Sequence, residues 1–116
     1  MTLREQIKHV IDTEPVAVFI KGTPQMPACG NSLRALQALH KAGAPVSVVN
    51  VLPDPQIRQE LSAISDWPTI PQVFVKGELI GGADITEELF ASGELERKLD
   101  ETLGSDRDSS VKLVAV

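Results

Sequence analysis

Apolar positions recur along the chain at two spacings. Leu3, Ile7, Val10 and Ile11 repeat every three to four residues, which predicts a helix starting behind a Thr2/Glu5 capping box and breaking at Glu14-Pro15. Val16 to Lys21, VAVFIK, is apolar almost throughout and β-branched or aromatic, as expected of a strand covered on both faces and central in its sheet. Leu33, Leu36 and Leu39 mark a second helical stripe, stopped by Gly43 and Pro45. VSVVNV, Val46 to Val51, is the next strand. Asp54 as N-cap and Pro55 at the first helical position open a third helix with Ile57, Leu61 and Ile64 on one face. Pro68 and Pro71 exclude helix from WPTIPQ. QVFVKGELIGG reads as a hairpin turning at Lys76-Gly77, with strands Val73 to Val75 and Glu78 to Ile80. Asp84 with Glu87 repeats the capping pattern ahead of a short helix closed by Gly93. Leu95, Leu99 and Leu103 form a last helical stripe before Gly104.

The order α β α β α β β α α carries no internal repeat. Strands joined through helices pair in parallel by right-handed crossovers, and the closing hairpin adds antiparallel strands. The expected fold is α/β: a mixed sheet of four strands flanked by five helices covering both faces. Residues 1–104 are expected to form one domain, and residues 105–116 a flexible C-terminal tail. The apolar end of that tail lies either in solvent or against an edge strand.

Composition narrows the function. The chain has 116 residues, enough for a single core, with 42% hydrophobic and 23% charged residues, an ordinary balance for a folded domain. A net charge of −5 without a Lys/Arg cluster lacks the electrostatic footprint of a nucleic-acid binder. No run approaches the ~18 apolar residues of a membrane span, and the first apolar turn carries charges rather than opening a secretion signal. A lone cysteine cannot form an internal disulfide, so the expected compartment is reducing, with the cytoplasm as default. His9 and His40 sit on predicted helices far from that cysteine in sequence and read as surface residues, as do Glu87, Glu88, Glu94 and Glu96.

Cys29 lies in the turn between the first strand and the second helix, where open α/β sheets place their chemistry. The positive end of a helix favours thiolate, the nucleophilic and metal-ligating form, and Lys21 ends the preceding strand. The competing reading is a small buried hydrophobe. Gly30 removes a side chain where a second molecule would approach, or simply supplies turn flexibility. Ser32 occupies the place of the resolving thiol in a Cys-x-x-Cys motif. It either hydrogen-bonds the thiolate or a backbone group, or serves as plain first-turn capping. With no second cysteine, the thiolate needs an external thiol, through mixed-disulfide exchange or a shared metal centre.

KGTP, Pro27 before a CG.S pattern, WPTIPQVFVKGELIGG, and an Asp followed by SGEL make the chain from about Leu3 to Gly104 resemble the monothiol glutaredoxins of the Cys-Gly-Phe-Ser class, which have the thioredoxin fold. The resemblance implies glutathione in a groove beside Cys29. Lys21 and Arg58 would meet its carboxylates, Arg58 being otherwise a solvated surface charge. Thr69, Ile70 and Pro71 would carry a cis proline, with the Ile70 backbone pairing like an added strand. Gly82, Ala83 and Asp84 would hold the glutamyl end, Asp84 being equally readable as an N-cap alone. Trp67 would pack at the base of this loop.

It further implies a 2Fe–2S cluster bridging a homodimer through Cys29 of each protomer and two glutathione thiolates. That cluster would pass to recipient apo iron–sulfur proteins, with BolA-like proteins as partners. The alternative is a glutathione-dependent thiol-disulfide oxidoreductase working through Cys29 alone; a third reading is an adaptor without turnover. Two departures stand out: Asn31 replaces the class phenylalanine, and Ala83 stands where many relatives carry a second cysteine.

Overall fold

The computed structural model describes residues 1–116. Its elements in chain order are α1 (Leu3–Thr13), β1 (Val16–Ile20), α2 (Gly30–Lys41), β2 (Val46–Asn50), α3 (Pro55–Ser65), β3 (Gln72–Val75), β4 (Glu78–Gly81), α4 (Ala83–Ala91), α5 (Glu94–Leu103) and β5 (Val111–Leu113). The sheet order is β4-β3-β1-β2-β5, with β1 central as its apolar run predicts. β1 pairs in parallel with β2 and antiparallel with β3, β3 with β4 antiparallel, and β2 with β5 in parallel.

Alternation along β1 divides the core. Val16, Val18 and Ile20 face α2, α4 and α5 through Ala35, Leu39, Ala83, Leu95 and Leu99. Ala17 and Phe19 face α1 and α3 through Ile7, Val10, Ile11, Ile57 and Leu61. Phe19 meets Phe74 of β3 edge to face, ring centroids 5.8 Å apart. Each buried branched or aromatic side chain contributes about 1.5–3 kcal/mol, so both layers are needed to offset chain entropy.

The Thr2/Glu5 box forms in both directions, and the Asp54 side chain accepts from the Gln56 N–H. Lys76 and Gly77 both have positive φ, 50° and 81°, as a two-residue type I′ hairpin turn requires.

Three expectations are corrected. The sheet has five strands rather than four, because the apolar end of the tail lies against the β2 edge. The Val46 N–H donates to the Ser110 carbonyl at 2.8 Å and the Val114 N–H to the Val48 carbonyl at 2.8 Å. Arg107, its side chain only 11% exposed, donates to the Ala42 and Gly104 carbonyls, each at 3.0 Å, and pins the tail to the ends of α2 and α5. The α2 stripe is also rotated: Ser32, Ala35, Ala38 and Leu39 are buried, Leu36 is partly buried and Leu33 is exposed. Small residues let this helix lie close on the sheet, which a count of leucines does not reveal. Finally, Gly82 rather than Asp84 is the N-cap of α4, and Asp84 lies within its first turn.

Candidate functional site

Cys29 is the N-cap of α2, half-buried, with extended backbone angles. The segment before it is held tightly. The Ala28 N–H donates to the Lys21 carbonyl at 2.8 Å, Thr23 and Met26 exchange backbone hydrogen bonds, and Gly22 bridges Pro27. Gly22 has φ +99°, and a Cβ there would lie 2.5 Å from the Met26 carbonyl oxygen, so only glycine fits. The Gly22 N–H donates to Asn50 Oδ1, which also accepts from the Leu52 N–H, both at 3.0 Å. Asn50 thus ties the thiol loop to the β2–α3 connection.

The Cys29 thiol is held below its ordinary pKa, first by the backbone N–H of Ser32, then by that of Asn31, the Lys21 charge and the Ser32 hydroxyl, against the opposing effect of burial. Ser32 is fully buried, and its Oγ accepts from the Lys21 N–H at 3.2 Å. It therefore joins the strand end to the helix start, well beyond simple capping. Gly30 is exposed, and a Cβ there would meet nothing within 4 Å, which leaves the approach to the sulfur open.

Two depressions carry the remaining candidates. Lys21 and Arg58 line a cavity of about 570 Å³ together with Pro68, whose carbonyl accepts from Arg58 Nη2 at 3.4 Å. Thr69, Ile70, Pro71, Gly82, Ala83 and Asp84 line another of about 330 Å³, which Asn31 also reaches. The first is cationic. The second takes its polarity from the α4 N-terminus, where no side chain caps the helix. The Ile70-Pro71 bond is cis. Gln72, fully buried, donates through Nε2 to the Trp67 and Thr69 carbonyls at 2.9 and 3.2 Å and so shapes the loop between the two depressions. Trp67 also lines the second depression, with its buried Nε1 lacking a partner.

Asn50, Gln72 and Arg34 are site residues that sequence reasoning passes over. Gln72 is the one polar residue in an otherwise apolar strand, a readable sign of a buried hydrogen-bonding duty. Arg34 has no such signal, since two of its partners lie on another helix. It donates to Asn31 Oδ1 at 2.8 Å, to Asp84 Oδ1 at 2.7 Å and, through Nε, to Glu87 Oε1 at 2.9 Å. Glu87, expected on the open surface, is half-buried in this pair, while His9 and His40 are exposed as read.

A mixed sheet between two helical layers, a lone thiol at a helix N-terminus and a cis-proline loop on the same groove define a thioredoxin-fold protein of the one-cysteine kind. The glutaredoxin family model matches residues 16–80. The probable monothiol glutaredoxin GrlA of Legionella pneumophila is 54% identical over 82 residues, 71% of this chain and 92% of that protein. Glutaredoxin 4 of Haemophilus ducreyi is 45% identical over 98 residues, 84% and 92% of the two chains. The solution structure of reduced apo GrxS14 from poplar matches with a TM-score of 0.78 at 38% identity, over 90% of this chain and 95% of that one. The chain belongs to the glutaredoxin family and is a monothiol member of it.

Proposed function

We propose that this glutaredoxin binds glutathione across the two depressions and, as a cluster-bridged homodimer, carries a 2Fe–2S cluster to recipient apo iron–sulfur proteins in the cytoplasm, in partnership with a BolA-like protein. The observation that carries this reading is a single thiol with a lowered pKa, open to a second molecule beside Gly30 and flanked by the Lys21 charge. Lys21 and Arg58 take the glycyl carboxylate by charge-assisted hydrogen bonds. The Ile70 backbone lies outside β3 and is available to pair with the cysteinyl unit as an added strand. The free N–H groups of Gly82, Ala83 and Asp84 receive the glutamyl carboxylate, and Asp84 its amine.

The donor set suits a shared cluster. No group of three or more His, Cys, Asp or Glu side chains in the chain is placed to hold a metal. An iron–sulfur cluster with four thiolate ligands would take one from each Cys29 of a dimer and two from glutathione. The protein contributes the depressed thiol pKa, which favours the thiolate form that ligates a metal, and the bare Gly30 beside it. No helix is long and apolar enough to cross a membrane.

Anaerobic reconstitution with iron, sulfide and glutathione tests the reading. The expected product absorbs in the visible, elutes at twice the monomer mass, requires glutathione and is lost in Cys29→Ser. A colourless monomer that turns over a glutathionylated substrate rapidly would overturn cluster transfer in favour of thiol-disulfide exchange.

A further inference from the structure

Arg34 and Glu87 have no part in the proposed glutathione contacts, yet they meet Asp84 at the mouth of the 330 Å³ depression. Arg34 comes from the second turn of α2, Glu87 and Asp84 from the first turns of α4, and Asn31 completes the set. Glu87 is the main partner, because both Nε and Nη2 of Arg34 donate to its Oε1. Asp84 accepts through Oδ1 alone, and its side chain is 82% exposed, so Oδ2 remains open toward a ligand. The Glu87 carboxyl is held below the usual carboxylate range by the Arg34 hydrogen bond, which keeps it charged. One cation thus stands between two anions, and the group carries one net negative charge at a helix N-terminus whose N–H groups attract anions.

That balance decides what can bind. Without Arg34, Asp84 and Glu87 would repel each other three residues apart on one helix and repel an incoming carboxylate. Without Glu87, Arg34 would neutralise Asp84 and leave no charge for an amine. Two acids and one guanidinium suit a head group bearing a carboxylate and an ammonium on the same carbon.

We propose that Arg34, anchored by Glu87 and Asn31, is a positioning residue that holds Asp84 to read the α-amine of a γ-glutamyl ligand, making this end of the groove selective for the zwitterionic amino-acid head. The proposal rests on the glutathione reading and adds to it a residue set on α2 and α4. It also accounts for Asn31, whose Oδ1 accepts from Arg34 Nη1, a bond that the phenylalanine of the resembling class has no atom to make.

Calorimetric titration of the full chain with reduced glutathione, and with the analogue in which hydrogen replaces the glutamyl amine and both carboxylates remain, tests this directly. The wild type binds glutathione more tightly than the analogue. Arg34→Gln reduces that preference about threefold, the scale of a part-exposed ion pair, and weakens the analogue as well. Glu87→Gln reduces the preference by a similar factor but tightens the analogue, because the site loses a negative charge. A merely structural role would shift both ligands alike and leave their ratio unchanged. An unchanged ratio in both variants, or a wild type that binds the two ligands equally, overturns the positioning role while leaving glutathione binding standing. Absence of binding by the wild type overturns the glutathione reading and this proposal with it.

Discussion

At the scale of single residues, the reactivity of Cys29 comes from backbone geometry as much as from charge. The N–H groups of Ser32 and Asn31 act on the sulfur because Cys29 is the N-cap of α2, whose first-turn N–H groups have no acceptor within the helix. The thiol is held below its ordinary pKa, so the alkylation rate plotted against pH has its inflection below that of a free cysteine side chain. Ser32→Ala keeps the backbone donor but removes the hydroxyl, which moves the inflection upward without restoring the free value. The same substitution removes the acceptor of the part-buried Lys21 N–H and costs about 1 kcal/mol in urea denaturation. An inflection unmoved by Ser32→Ala would show that the hydroxyl serves the loop alone.

At the scale of elements, the tail changes what the sheet edge is. β5 covers the open side of β2, and Lys112 pairs with Glu14 across it at 3.2 Å. Glu14, which also accepts from Ser47 Oγ at 2.9 Å, thereby links the end of α1 to β2 and β5. The guanidinium of Arg107 sits where the last carbonyls of α2 and α5 lack partners, a place that favours positive charge. Arg107→Ala frees the Ala42 and Gly104 carbonyls and loosens the connection to β5. The expected result is a loss of about 1–2 kcal/mol and faster amide exchange at Val46 and Val114, with the α1 and α3 amides little affected. Equal acceleration at all amides would mean that the tail is part of one cooperative unit with the core.

At the scale of the molecule, β1 is the shared wall of two cores, and the site lies where loops from both layers meet. Phe19 is fully buried on the α1/α3 side. Phe19→Ala is expected to cost about 3–5 kcal/mol, a large part of the ~5–15 kcal/mol that holds such a domain folded. Urea denaturation reads the loss. A cost under ~1 kcal/mol would mean that the second layer adds little to the fold.

The order of elements was legible because each announces itself locally: the Thr2/Glu5 box, the unbroken VAVFI run, Asp54-Pro55, and Lys76-Gly77 all act within a few residues. Cys29 at the start of α2 and the non-helical WPTIPQ segment were legible for the same reason, since Pro68 and Pro71 restrict the residues before them; a ligand role for Thr69, Ile70 and Pro71 came from the family resemblance. Tertiary structure alone decided which face of α2 is buried, whether the last residues join the sheet, and which groups Arg34 meets. Those outcomes depend on partners distant in sequence. Arg34 reaches Glu87 across 53 positions and Arg107 reaches Ala42 across 65. Local preference carries no information about such partners until the sheet brings them together.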